Sequence, residues 1–158
     1  MSKLLRKIIA ITSVILGLIV SPLSFAIESQ SEEAVKAAFL YHFFNFIEWP
    51  NSKNDSYVLC IIDDPKLFTE SQNAFSNKQV KGRKIQVVPH DEDACHIRIS
   101  DSSAASTSNM LTIGALSDGA MLEFVIRDHK VRFVIDSQRI KASALQISSQ
   151  LLKLAEKT

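Results

Sequence analysis

Helical stretches alternating with strand-length apolar runs, closed by two β-rich runs, predict an α/β domain. The expected fold is a layered single domain with a mixed β-sheet flanked by helices, ending in a β-hairpin and a C-terminal amphipathic helix. Three observations carry it. Val35, Phe39, Phe43, Phe46 and Ile47 fall at helical spacing. Tyr57–Ile62 is a continuous apolar run, too short for a helix and suited to a strand buried on both faces. Met121–Arg127 and Lys130–Asp136, rich in β-branched and aromatic residues, flank Asp128-His129 as the arms of a hairpin would. The 158 residues carry a formal net charge of +1, are 46% hydrophobic and 22% charged, and include two cysteines. That composition fits one globular domain and excludes disorder, collagen-like repeats and a disulfide-dense mini-protein. Near-zero charge without a cluster of Lys and Arg argues against nucleic acid as a partner.

The first 26 residues stand apart from the fold. Lys3, Arg6 and Lys7 precede the apolar run Ile8–Val20, and Ser24-Phe25-Ala26 supplies small residues where a signal peptidase reads. Residues 1–26 are therefore expected to be a cleaved secretory signal peptide, and residues 27–158 the single domain. An uncleaved anchor is the competing reading. A spanning helix needs roughly 20 predominantly apolar residues, and Ser21-Pro22 interrupts the run before that. Cleavage removes three basic residues and no acid, which leaves the domain slightly acidic.

In the domain itself, Ser29 and Glu32 have capping-box spacing, and a first helix is expected from about Ser31 to Glu48. Leu40, Tyr41 and Phe44 lie on its other faces, so it is apolar nearly all round and needs burial on more than one side. Pro50 ends it by pushing Trp49 out of the helical region. Asn51–Ser56 reads as a turn before the Tyr57–Ile62 strand, and Asp63-Asp64-Pro65 as the cap of a second helix reaching about Phe75. Lys78–Arg83 reads as a basic loop turning at Gly82. Strands are expected at Lys84–Val88, Cys95–Ile99 and Met110–Ile113, joined by an acidic loop at Pro89–Ala94 and a Ser-rich helix or loop at Ser100–Asn109. After the Gly114–Gly119 loop comes the hairpin, whose turn lacks its preferred glycine. Either His129 accepts a positive φ or the loop is longer. Asp136 or Ser137 should cap a last helix running through Lys157, with Ile140, Ala144, Ile147, Leu151 and Leu154 in step.

The common catalytic signatures are missing. Gly82, Gly114 and Gly119 do not form a nucleotide or dinucleotide loop. A hydrolase elbow, a paired-histidine zinc helix and a calcium loop are also absent. No catalytic residues, metal or cofactor are expected. The nearest reactive grouping is His90-Asp91-Glu92-Asp93 beside His96, and a solvated acidic turn is its simpler reading. Export favours a disulfide between Cys60 and Cys95, the one available pairing, over two separate buried thiols. Tyr41, Phe44 and Trp49 lie off the main helical stripe and are partner-binding candidates. Glu123, Arg127, Arg132, Phe133, Asp136 and Arg139 offer a second, mixed surface on the hairpin and the following helix, although charges there can simply be solvated edges.

Ala34-Val35-Lys36-Ala37-Ala38-Phe39-Leu40-Tyr41, continued by Phe43, Phe46, Glu48, Trp49 and Pro50, resembles the opening of the YfiR/HmsC family of periplasmic proteins. The likeness continues through Val58-Leu59-Cys60, Lys81-Gly82-Arg83-Lys84-Ile85, Cys95-His96-Ile97, Leu111-Thr112-Ile113-Gly114, Val131-Arg132-Phe133 and Ile147-Ser148-Ser149 with Leu151, Leu152 and Leu154. Each motif is short, and their shared order is what is specific. The resemblance implies a three-layer α/β domain in the periplasm without catalytic activity. It implies a partner, the periplasmic domain of an inner-membrane diguanylate cyclase, which the protein holds inactive. It further implies an outer-membrane peptidoglycan-binding lipoprotein that sequesters the inhibitor, so that cyclic-di-GMP rises and biofilm forms, and it implies a homodimer. Cys60 and Cys95 fall where the family places one disulfide. The glycine-free turn at Asp128-His129 and the lack of a second cysteine pair depart from the pattern. A periplasmic small-ligand sensor, using a cleft at the carboxyl ends of the strands, is the alternative.

Overall fold

A computed structural model describes residues 30–50, 55–91, 93–102 and 108–156. The expected signal peptide lies outside the described residues. Helix α1, Glu32–Phe46, starts where the Ser31 hydroxyl accepts the Ala34 N–H at 3.1 Å. Ser29, the expected cap, is outside the described residues. The helix ends two residues earlier than expected because Ile47–Glu48 becomes a short strand, β1, paired antiparallel with β9, Gln146–Ile147.

The main sheet has seven strands: β2 Ser56–Ile61, β3 Gln79–Val80, β4 Arg83–Val88, β5 Ile97–Ile99, β6 Leu111–Ile113, β7 Leu122–Arg127 and β8 Lys130–Ile135. Their order is β3-β4-β2-β5-β6-β7-β8. The strands from β4 to β7 run parallel, and β3 and β8 are antiparallel edges. This is the mixed sheet that alternating helices and strands predict. Helix α2, Pro65–Phe75, follows β2 with the Asp64 carboxylate accepting the Leu67 N–H at 2.9 Å.

Both edge strands arise from two-residue turns. At the first, Lys81 and Gly82 have φ of 51° and 77°, and Gly82 supplies the residue that tolerates this region. The stretch read as a basic loop is thus partly a hairpin, and β3 is too short to show a strand period. At the second, Asp128 and His129 take φ of 50° and 59°. His129 therefore accepts the left-handed conformation, and the tight turn is kept at a steric cost.

The core lies on one face of this sheet. Tyr57, Leu59 and Ile61 of β2 point to it together with Ile97, Leu111, Ile113, Leu122 and Phe133, and α1 and α2 pack over them. Phe43 meets Phe133 edge-on at 5.2 Å, and Phe44 meets Tyr57 at 5.2 Å. The all-round apolar character of α1 follows, because sheet and α2 claim different faces of it. The alternate residues of β2, Val58 and Cys60, join Val88, Cys95 and Met110 in a smaller cluster on the opposite face.

The C-terminal segment is helical but divided. Helix α3, Ser137–Ala142, closes where the Ser143 N–H donates to the carbonyls of Arg139 and Ile140. Strand β9 intervenes, and α4, Ser149–Leu154, restarts on the Ser148 hydroxyl. The expected unbroken helix yields because β9 gains backbone pairing with β1 that a helical turn would forgo. Glu156 then bridges to Val134, its N–H reaching the Phe133 carbonyl at 2.9 Å, and covers part of the β8 edge. Among the described residues no helix is long and apolar enough to cross a membrane.

Candidate functional site

At the β2–β5 side of the sheet, Cys60 and Cys95 form a disulfide with Cα atoms 5.9 Å apart. Beside it sits a dense aromatic group. Tyr57 lies 5.2 Å from the His96 ring and 5.6 Å from Trp49, and the Arg83 guanidinium stands 4.1 Å over the Tyr57 ring. The Trp49 indole N–H donates to the His96 carbonyl at 3.1 Å. The Val58 N–H donates to His96 Nδ1 at 3.1 Å, which requires that nitrogen to be unprotonated. Burial, reinforced by the Arg83 charge, lowers the His96 pKa to about 4. Every ring in this group is held inside the domain. Phe44 is fully buried and Trp49 is 8% exposed, so neither forms open surface. Their position off the main stripe reflects a second packing face.

Tyr41 is half-buried, with its hydroxyl donating to the Gln79 carbonyl at 3.2 Å and the Lys78 ammonium 5.1 Å over its ring. It joins α1 to β3.

The hairpin candidates divide between scaffold and surface. Phe133 is fully buried against Phe39 and Phe43. Asp136 accepts the N–H groups of Gln138 and Arg139 at 2.9 and 3.0 Å, capping α3, and these bonds, with the Arg139 charge, hold its pKa below the usual carboxylate range. Arg139 donates to the carbonyls of Leu116 and Ala120 at 2.9 and 3.0 Å, pinning that loop against α3. The Glu123 carboxylate accepts the Leu116 N–H at 3.1 Å. Arg132 pairs with Glu156 at 3.4 Å and is partly exposed. Asp136, Arg139 and Glu123 therefore form one scaffold around residues 115–120, distant in role from Tyr41, Phe44 and Trp49.

The described members of the acidic grouping are drawn to different partners. Asp91 pairs with Arg98 at 2.9 Å, His96 is buried in the aromatic group, and among the described residues no three His, Cys, Asp or Glu side chains are placed to share an ion. Glu92 lies outside the described residues.

Two concavities open beside α1. One is a cleft of about 280 Å³ at the carboxyl ends of β2, β5 and β6, lined by Lys36, Asp63, Ser100, Asp101 and Glu123 among others. Gly114 shapes its floor: a Cβ there would lie 2.5 Å from the Ser100 carbonyl oxygen, so only glycine allows that approach. The Ser100 hydroxyl donates to Asp63 at 2.9 Å. The other is a groove of about 520 Å³ between the start of α1 and the hairpin, lined by Val35, Phe39, Ile126, Lys130, Val131 and Arg132 among others. Ile126, absent from the sequence-based candidates, is 54% exposed. Its signal was present in the alternation of the hairpin, which sets Ile126 opposite Val131, two residues before the turn.

The family model described as YfiR/HmsC-like matches residues 33–156. No curated protein matches the chain.

Proposed function

Because the chain belongs to the YfiR/HmsC-like family, we propose that it is a non-catalytic periplasmic regulator. It binds the periplasmic sensory part of an inner-membrane diguanylate cyclase and represses cyclic-di-GMP synthesis and biofilm formation. The observation that carries this reading is the family match over residues 33–156, which takes in the cleft, the disulfide, the hairpin and all of the groove but Gln30 and Glu32. The Cys60–Cys95 disulfide suits an oxidising compartment, and residues 1–26 supply the export signal.

A regulator without catalysis acts by preferring one state of its partner. Moving a two-state cyclase from mostly on to mostly off takes about 5.5 kcal/mol of differential affinity, within reach of a modest protein interface. An outer-membrane peptidoglycan-binding lipoprotein that competes for the same protein would relieve the repression, and a homodimer is a further partner state. Cellular cyclic-di-GMP in a deletion strain tests the reading. It should rise on deletion and be restored by the full chain but not by residues 27–158 lacking the signal. An unchanged level on deletion contradicts the proposal.

The cleft at the carboxyl ends of β2, β5 and β6 favours one second reading, a small-ligand sensor, because open α/β sheets bind ligands there. A ligand-dependent rise in melting temperature, lost on Gly114→Val, would mark it.

A further inference from the structure

The groove between α1 and the hairpin has features of a recognition surface, and the regulator reading leaves its occupant unspecified. We propose that this groove takes a protein segment in which a large apolar side chain is flanked by carboxylates. The inference deepens the regulator reading and rests on it for the partner's identity.

The floor is apolar. Val35 and Phe39 of α1 face Ile126 and Val131 of the hairpin, and Ile126 is one of three large apolar side chains that are exposed among the described residues. At about 520 Å³ the space admits one or two large side chains. Leaving a cavity of that kind open to water has a hydrophobic cost that an inserted apolar anchor removes, the arrangement found at the centre of protein interfaces.

The charges at the groove set the flanks of the occupant. Lys130 and Arg132 line it from the hairpin beside His129, and Arg132 is already paired with Glu156 at 3.4 Å, which leaves Lys130 as the charge on offer. The one acid among its lining residues, Glu32, is already tied to Lys36 in an ion pair at 2.6 Å. Among the described residues Lys130 has no carboxylate partner. A basic segment would be repelled there, and an acidic one drawn in. The two-residue turn, fixed by the left-handed conformations of Asp128 and His129, holds Ile126 and Lys130 in a set relation. The apolar and charged contacts are thus presented together on one stiff element.

The test uses isotope-labelled protein isolated in its exported form and two probes, acetyl-Glu-Leu-Phe-Glu-amide and acetyl-Lys-Leu-Phe-Lys-amide. The acidic peptide should shift the amide resonances of Ile126 and Lys130 and bind about tenfold more tightly than the basic one, weakening with salt. Ile126→Ser should abolish those shifts, and Lys130→Glu should reverse the preference while leaving the remaining spectrum in place. Equal binding of both peptides, shifts confined to other parts of the domain, or no shift at all would overturn the proposal. Failure of the regulator reading is seen separately, as cyclic-di-GMP that does not change on deletion while the peptide preference persists.

Discussion

The two sides of the sheet are built on different terms. Around β2 and β5, a disulfide, the rings of Phe44, Trp49 and Tyr57 and a buried histidine close the structure tightly, with Trp49, Tyr57 and His96 each bonded or stacked to the next. Around the tip of β7 and β8, Ile126 is exposed, the turn sits in a left-handed conformation without glycine, and a groove opens toward α1. The first region holds the chain together, and the second leaves apolar surface uncovered. Surface that stays apolar and uncovered in a small domain is suited to a partner, and it is kept in shape by a scaffold whose stability comes from elsewhere.

The sharpest way to break this contrast is to open the disulfide. Its residues are 35 apart in sequence, and the chain-entropy model gives about 4 kcal/mol for a loop of that size. Cys60→Ser with Cys95→Ser should lower the denaturant midpoint by a corresponding amount with an unchanged groove in the folded fraction. An unchanged midpoint would show that the bond contributes little to holding this side.

Acid acts on the same region with a somewhat smaller effect. The folded pKa of His96, about 4, lies below the ordinary histidine value of 6.5. In the window between them the unfolded chain binds a proton that the folded chain refuses, so stability present above pH 6.5 is lost as pH falls toward 4, by on the order of 3 kcal/mol. Asp136, also depressed, adds its own loss only at lower pH, below its usual 3.8. Urea titrations across the window should show the slope, and His96→Asn, which keeps an acceptor for the Val58 N–H, should flatten it.

Between the two regions stands the loop at residues 115–120. Arg139→Met removes both bonds to the Leu116 and Ala120 carbonyls and the pair with Asp136, and should cost about 2 kcal/mol by thermal unfolding. The smallest effect on stability belongs to the groove. Ile126→Glu, at a side chain 54% exposed, should shift stability by no more than about 0.5 kcal/mol.

The contrast also explains what the sequence reveals. Strand β2, the second helix with its Asp64 cap, the hairpin arms and the Cys60–Cys95 bond are legible because each has a local signal: an apolar run, a cap, a two-residue gap, a lone cysteine pair. The burial of Phe44 is not, since a helix apolar on every face does not say which face meets solvent, and Trp49 and Phe133 are covered by contacts with residues far away in the chain, His96 for the first and Phe39 and Phe43 for the second. Arg139 reads as surface charge because its carbonyl partners lie on a loop about twenty residues earlier in the chain. Strands β3 and β9, each two residues long, are too short to carry a period, and β9 divides a helix whose apolar spacing runs on unbroken. The groove is missed for the same reason: its walls, Val35 with Phe39 and Ile126 with Val131, come from opposite ends of the domain.

Cellular cyclic-di-GMP in a strain whose chromosomal copy carries Ile126→Glu, at wild-type protein level and melting temperature, tests the account most directly. Cyclic-di-GMP at the level of the deletion strain is the predicted result, and the wild-type level would contradict it.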